Sequence, residues 1–272
     1  MPEKTRRILS KYDIHLDKNK SQNYLVSRNK LDKIIEEAAI RADETILEIG
    51  AGIGTLTLEL AKHAKKVVAI EKDRKIAEVL RKRIKEENIA NVEVINDDAL
   101  KIAYSSFDKV VSNLPYQISS PVTFKLLEYD FELAVLMYQY EFAQRMMARP
   151  GSKNYSRLSV ALHYKAEVEL VDTLKPSCFI PQPRVDSAVV KLLPKTKYEL
   201  PEIFDETLKA LFQHKNQKAR KALINSAHEL RKDKKNMKEL LKDVENPLLD
   251  KKVFQLTPEE ISEIATTLEQ VL

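Results

Sequence analysis

The chain has 272 residues, enough for one large domain with a full core, or for such a domain plus a small one. With 43% hydrophobic and 32% charged residues and a net charge of +5, it has the composition of a soluble globular protein; no membrane span is expected, and Met1–Arg7, polar and basic with no apolar segment behind it, does not read as a secretory leader. The single cysteine, Cys178, excludes an internal disulfide and an all-cysteine metal site, and the five histidines show no paired ligand spacing, so no metal is expected and the cytoplasm is the default compartment.

In chain order, apolar periodicity predicts a helix over Leu31–Ile40, a strand at Thr45–Ile49, a helix over Leu56–Ala64 and a strand at Val67–Ile70. A third helix should turn Ile76, Val79, Leu80 and Arg83 inward, and strands follow at Val92–Ile95, Lys109–Ser112 and Leu133–Tyr138. Strand alternating with helix predicts an α/β fold, a parallel sheet with helices on both faces. Glu167–Thr173 and Ala188–Leu193 have no long helix between them, so the sheet should end in an antiparallel, hairpin-like element. After Pro194, Lys195–Pro201 reads as a linker, and beyond it only helical periodicity remains: Phe204, Leu208, Leu211 and Phe212, then Ala219, Leu223, Ala227 and Leu230. Thr257-Pro258-Glu259-Glu260 signals the start of a last helix. The expected domains are therefore 1–194 and an all-helical 195–272.

The strongest local signal is the run from strand Thr45–Ile49 into Gly50-Ala51-Gly52-Ile53-Gly54-Thr55, which holds three of the four glycines of the chain. Glycines there permit a tight turn and close approach of a ligand to the backbone. A dinucleotide fingerprint would need its third glycine where Thr55 stands. Glu71, 21 residues after Gly50 at the end of the second strand, is placed to accept from two ribose hydroxyls. If the glycine spacing marks the S-adenosyl-L-methionine site it resembles, Asp98, after the third strand, is placed to meet the amino group of the cofactor's adenine, with Asp97 a weaker competitor. Asn113-Leu114-Pro115-Tyr116, which closes the fourth strand, resembles the Asn/Asp-Pro-Pro-Tyr class of motif in enzymes that methylate exocyclic amino nitrogens. An exocyclic amino nitrogen is a poor nucleophile because its lone pair is delocalised. The Asn113 side-chain oxygen and the Leu114 carbonyl could hold its two hydrogens and favour pyramidal geometry, while Tyr116 offers a ring for stacking. Before the last strand, Phe179-Ile180-Pro181-Gln182-Pro183 reads as a proline-stiffened loop that fixes Phe179 as a platform for a flipped base. Cys178 reads as a small buried hydrophobe.

The spacing Gly50-x-Gly52-x-Gly54 resembles the first motif of S-adenosyl-L-methionine methyltransferases. Lys20-Ser21-Gln22-Asn23-Tyr24-Leu25, Gln139–Arg145, Tyr155–Ser159 and Phe212 with Lys215–Lys221 extend the likeness over nearly the whole chain. The sequence resembles the small-subunit ribosomal RNA adenine dimethyltransferase family, with an archaeal member expected. That resemblance implies a Rossmann-like class I methyltransferase sheet plus a small all-helical C-terminal domain. It implies S-adenosyl-L-methionine as cofactor and transfer of two methyl groups to N6 of each of two adjacent adenosines near the 3′ end of 16S rRNA. It also implies the small ribosomal subunit as partner, a role in ribosome biogenesis and a monomeric enzyme. Carried over by residue, Gln22, Asn23, Leu25, Gly50, Gly52, Gly54, Glu71, Asp98 and Asn113 would bind the cofactor. Asn113, Leu114, Pro115, Tyr116 and Phe179 would form the catalytic site. Ser21 and Ser156 stand where the family has glycine, and Tyr24 where it has phenylalanine.

Charge agrees with a polyanionic partner or with solvated helices. Residues 1–33 carry nine Lys/Arg against four acids, and residues 205–252 thirteen against eight, while the remainder is net acidic. The run Lys215, Lys218, Arg220 and Lys221 is the expected RNA contact. Rival readings are an adenine methyltransferase on large-subunit rRNA or DNA, and an assembly factor acting mainly by binding. A nicotinamide-dependent dehydrogenase is disfavoured by Thr55.

Overall fold

The apolar runs pair into one seven-stranded sheet in the computed structural model, which describes residues 1–14, 23–195 and 199–272. The chain divides into two units, Met1–Ala143 with Ala166–Pro194, and Gln144–Lys165 with Lys195–Leu272. The second unit begins its longer segment at 195, where the linker is expected. It also takes in residues 144–165, which the sequence reading assigns to the first domain.

In chain order the elements are α1 (Pro2–Lys11), β1 (Tyr24–Leu25), α2 (Arg28–Ala38), β2 (Thr45–Ile49), α3 (Thr57–Leu60), β3 (Lys66–Ile70), α4 (Arg74–Glu86) and β4 (Val92–Ile95). Then come β5 (Lys109–Asn113), α5 (Ser119–Leu126), β6 (Leu133–Gln139), α6 (Tyr140–Met146), α7 (Arg157–Lys165), β7 (Ala166–Leu174), β8 (Phe179–Ile180) and β9 (Ser187–Pro194). Four further helices complete the chain: α8 (Phe204–Phe212), α9 (Ala219–Asn225), α10 (Lys234–Leu240) and α11 (Pro258–Glu269).

The sheet runs β4-β3-β2-β5-β6-β9-β7, with the first five strands parallel and β9 antiparallel to both neighbours. Strand order reverses between β2 and β5, and in such sheets the ligand crevice opens beyond the carboxyl ends of the strands at that point. Here the pairing of β2 with β5 covers only Ile46↔Lys109 and Leu47↔Val110, although the strands run on to Ile49 and Asn113. Where the ladder stops, the Ser112 hydroxyl accepts from the Ile49 N–H at 2.8 Å, so the strands part without stranding a buried donor.

One apolar cluster sets Leu31, Ile34 and Ala38 of α2 against Ile46, Val67, Val111, Val135 and Val189 of the strands. Smaller clusters join Ile76 and Val79 of α4 to Ile53, and Leu80 to Ala51 and Ala69. Each fully buried aliphatic side chain contributes about 1.5–3 kcal/mol. The Asp73 carboxylate caps α4 by accepting from the Lys75 and Ile76 N–H groups. The helix expected over Leu56–Ala64 is regular only at α3. Its end tightens into i→i+3 bonds (Lys62 N–H to Glu59, His63 N–H to Leu60), and the Asn91 amide donates to the Ala61 and Ala64 carbonyls at 2.8 and 2.9 Å.

The second unit buries its own core, in which Tyr155, Val160 and Tyr164 join Phe204, Leu208, Leu211, Leu223, Ile261 and Ile264. Burial of those three residues explains why 144–165 belongs there. The Tyr155 hydroxyl donates to the Leu256 carbonyl at 2.9 Å. α11 begins with the capping box that Thr257 and Glu260 predict. Ser156 is not among the residues with positive φ, so the backbone does not require glycine there.

Candidate active site

The crevice at the carboxyl ends of β2 and β5 is a cavity of about 570 Å³, within the range of small-molecule sites. All of its lining residues belong to the first unit.

The glycine turn forms the floor. Gly50 and Gly52 have φ of +75° and +58°, where a side chain is strained, and both are pressed by neighbours. A Cβ on Gly50 would lie 2.8 Å from Cδ of Pro115, and one on Gly52 would lie 2.8 Å from Cε1 of Tyr24. The Gly50 and Ala51 N–H groups donate to the Ile70 carbonyl, which folds the turn back over β3. Gly54 faces away from the cavity: a Cβ there would meet Leu80 at 2.5 Å. Gly54 packs closely on α4 and, unlike Gly50 and Gly52, is not among the residues that line the cavity. Arg83, buried on α4, donates to the Ile53 carbonyl and fixes the same turn from behind.

Glu71 holds both carboxylate oxygens at the rim: Oε2 accepts from the Gly52 N–H at 2.9 Å and Oε1 from the Asp73 N–H at 2.8 Å. Burial raises its pKa against these bonds. Each oxygen keeps a lone pair for a further donor. On the far wall Asp98 accepts from Lys72 Nζ at 2.9 Å and from the Leu100 N–H at 3.0 Å. The lysine holds the carboxyl below its usual range. Asp97 also lines the cavity.

Asn113 reaches the cavity from the end of β5, and its Nδ2 donates to the Asn23 carbonyl at 2.7 Å. A carbonyl can only accept, so this bond fixes the amide orientation and leaves Oδ1 as the acceptor on the other side. Asn23 is carried there by β1, which pairs with β8 through Tyr24↔Ile180 and Leu25↔Phe179. Asn23, Tyr24, Leu25 and Pro115 all line the cavity; Gln22 lies outside the described residues.

Three of the expected catalytic residues are not among those that line the cavity. Leu114 is buried, and Tyr116 is held by a 2.6 Å hydrogen bond between its hydroxyl and that of Ser187. Phe179 is only 1% exposed, in the apolar cluster with Leu25, Leu31, Leu174 and Val189. Its ring is a core residue here and not an open platform, because pairing with Leu25 in the β1–β8 ribbon turns it inward. Cys178 is half-buried and free, not fully buried as expected.

The structure adds Glu48, which sequence reasoning did not single out. Glu48, 2% exposed on β2, lines the cavity with Oε2 lacking a hydrogen-bond partner among the described residues, and burial pushes its carboxyl up to about 8. An acid in an otherwise apolar strand, two positions before the first glycine, was the available signal. The Tyr24 hydroxyl is likewise buried and unpartnered among the described residues.

The walls favour a cationic ligand. Beside the protonated Glu48, Glu71, Asp73, Asp97 and Asp98 line the cavity against Lys72 and Arg74, and those two cations already pair with Asp98 and Glu78. A pyrophosphate would be repelled, whereas an adenosine with a sulfonium and an ammonium meets acceptors for its hydroxyls, amino group and positive charge. Among the described residues no group of three or more His, Cys, Asp or Glu is arranged to hold a metal ion, and no helix is long and apolar enough to cross a membrane.

In the second unit two members of the basic run also bind backbone carbonyls. Arg220 donates to the Leu241 and Val244 carbonyls beyond α10, and Lys215 to the Lys153 and Tyr155 carbonyls at 3.0 and 3.2 Å. These two hold the fold. Lys218 and Lys221 are exposed, Lys218 beside Asp250.

The family description for ribosomal RNA adenine dimethylases matches residues 15–264. The chain is 60% identical over 265 residues to the probable ribosomal RNA small subunit methyltransferase A of Methanosphaera stadtmanae, covering 97% of this chain and 98% of that protein. It is 52% identical over 267 residues to the protein of the same description from Methanothermobacter thermautotrophicus, covering 98% and 96%. Among solved structures, a dimethyladenosine transferase from Plasmodium falciparum superimposes with a TM-score of 0.73 at 34% identity, covering 90% of this chain and 96% of that one. The 23S rRNA methyltransferase ErmE gives 0.65 at 28%, covering 91% and 100%.

Proposed function

Because the chain belongs to the ribosomal RNA adenine dimethylase family, we propose that it dimethylates N6 of two adjacent adenosines near the 3′ end of 16S rRNA, on the small ribosomal subunit, during ribosome biogenesis. It is an S-adenosyl-L-methionine-dependent enzyme, and the bound cofactor supplies an electrophilic methyl group on a sulfonium. Identity of 60% to a protein described as a small subunit methyltransferase, over almost the full length of both, favours this substrate over large-subunit rRNA. On this reading it works as a monomer in the cytoplasm.

The observation that carries the residue assignment is the bond from Asn113 Nδ2 to the Asn23 carbonyl. It leaves Oδ1 as a fixed acceptor at the mouth of the glycine turn. With the Leu114 carbonyl, Oδ1 takes the two amino hydrogens of the target adenine and turns its lone pair outward. Acceptors that are already oriented gain strength as positive charge develops on nitrogen, without reorganisation. Pro115 sets the bend after Leu114, and Tyr116, anchored on Ser187, gives the base an aromatic face. Phe179 reaches a base only if its apolar neighbours part. Glu71 accepts from the cofactor ribose and Asp98 from its adenine amino group, with Asn23, Leu25, Gly50 and Gly52 shaping the remainder. No histidine lines the cavity among the described residues, and no general base is needed, because the amino group becomes acidic once methyl transfer has begun.

The test is mass mapping of methylated adenosines after incubation with unmethylated small subunits and labelled cofactor. Dimethylation at two adjacent 16S adenosines is expected. Product confined to large-subunit rRNA would overturn the assignment.

A further inference from the structure

The loop of residues 97–102 carries Asp98, Ala99 and Leu100 on the wall of the cavity. Within the loop, the Lys101 N–H donates to the Asp98 carbonyl at 2.8 Å and the Leu100 N–H to the Asp98 carboxylate. Two side chains from outside it converge on Ala99. Lys125, on the last turn of α5, donates from Nζ to the Ala99 carbonyl at 2.8 Å and also to the Ile102 carbonyl. The Tyr104 hydroxyl donates to the same Ala99 carbonyl at 2.8 Å, which uses both lone pairs of that oxygen. The Lys125 ammonium stands 4.5 Å from the centroid of the Tyr104 ring, a cation–π distance. Tyr104 is itself wedged between Phe107 and Tyr129, and the Tyr129 hydroxyl accepts from its N–H at 3.1 Å.

Lys125 is half-buried and pairs with no carboxylate among the described residues. Holding an ammonium there costs desolvation that an apolar side chain of the same length would avoid. The charge is met by the two loop carbonyls and the face of the Tyr104 ring, so it ties the loop to the aromatic cluster. α5 also follows directly on the Asn113–Tyr116 motif, through Gln117 and Ile118 at the cavity edge.

We propose that Lys125 and Tyr104 are positioning residues that clamp the 97–102 loop at Ala99 and thereby set discrimination for the 6-amino group of the cofactor's adenine. The inference rests on the reading that this wall receives the adenine. Neither side chain touches the cofactor; both act through the backbone that carries Asp98.

The test is calorimetric titration of the full-length protein with S-adenosylhomocysteine and with its deaminated counterpart, S-inosylhomocysteine. Lys125→Met keeps the aliphatic stem and removes the donors, while Tyr104→Phe keeps the ring and removes only the hydroxyl. Each should lower the preference for the adenosyl ligand by about three- to tenfold, the span of one or two hydrogen bonds. In an Asp98→Ala background, Lys125→Met should lower it no further. Equal loss of affinity for both ligands, or an unchanged preference in both variants, would overturn the clamp. Asp98→Ala separately decides the underlying reading: a wild-type preference in that variant removes Asp98 from adenine recognition, whereas an altered preference beside unaffected clamp variants sinks the clamp alone. Should Lys125→Met fail to fold, Tyr104→Phe decides the same question.

Discussion

Replacing Asn113 by aspartate tests whether orientation or charge makes this residue work. A carboxylate is also an acceptor, so chemistry alone predicts that Asn113→Asp retains partial activity. The structure adds a condition. The amide nitrogen lies 2.7 Å from the Asn23 carbonyl oxygen. An ionised aspartate would set two acceptors at that distance with no proton between them, leaving the carbonyl unpaired at a cost of about 1–3 kcal/mol. If that cost falls on the reactive geometry, single-turnover methylation drops by roughly 5- to 150-fold, at about 1.36 kcal/mol per decade. A protonated carboxyl restores the pattern, with its O–H toward Asn23 and its other oxygen toward the target amine. Enclosure beside a carbonyl raises the pKa of such an acid, so the competent form is present below that pKa and is lost as pH rises through it. The activity of the variant relative to wild type should therefore fall from pH 6 to pH 8.5 in single-turnover assays on undermethylated small subunits. A ratio that stays flat or rises with pH would refute the argument that the Asn23 bond orients this group. Asn113→Ala, which loses both functions, should lower turnover by about a hundredfold or more with cofactor affinity nearly intact.

Gly52→Ala should weaken S-adenosylmethionine binding at least about tenfold in calorimetry, since a Cβ in that conformation costs about 1–2 kcal/mol and displaces the Tyr24 ring; unchanged affinity would remove the turn from the site. Glu71→Ala should cost about 1–3 kcal/mol of cofactor binding, the scale of hydrogen bonds to a charged group. For Glu48, burial lifts the carboxyl from 4.5 to about 8, so the folded protein holds a proton that the unfolded chain releases, and stability falls as pH rises through that window. The melting temperature of cofactor-free Glu48→Gln should accordingly gain on wild type between pH 5 and pH 8, and a constant difference would mean that Glu48 is not protonated. Arg220→Ala should destabilise the helical unit by about 1.5–3 kcal/mol through its two carbonyl bonds, while Lys221→Ala leaves the melting temperature unchanged and flattens the salt dependence of subunit binding.

The seven sheet strands were legible because each is a run of β-branched and apolar residues bounded by turn residues; observed ends differ from the expected ones by at most one residue. The β1–β8 ribbon was not. Two-residue strands carry no periodicity, and their pairing joins Tyr24 to Ile180 across most of the chain. The same distance hid the inward turn of Phe179. The placement of Gly50, Gly52, Glu71, Asp98 and Asn113 at the cavity was readable because it follows from their position at strand ends. The packing of Gly54 on Leu80 was not readable, because a glycine that packs a helix and one that admits a ligand look alike in sequence. The basic run was readable only in part: composition counts Lys215 and Arg220 as free charge, and only the fold reveals the carbonyls they meet.

The helical unit is assembled from two stretches that leave the ribosome at different times. Tyr155, Val160 and Tyr164 are synthesised before β7, β8 and β9, yet the partners that bury them, from Phe204 to Leu268, come last. A nascent chain that has emerged as far as β9 therefore displays three aromatic and aliphatic side chains without their core. A fragment starting at residue 195 has the complementary defect. Any attempt to express the helical unit alone must rejoin 144–165 to it, and in the cell this interval is when the chain most needs protection from aggregation.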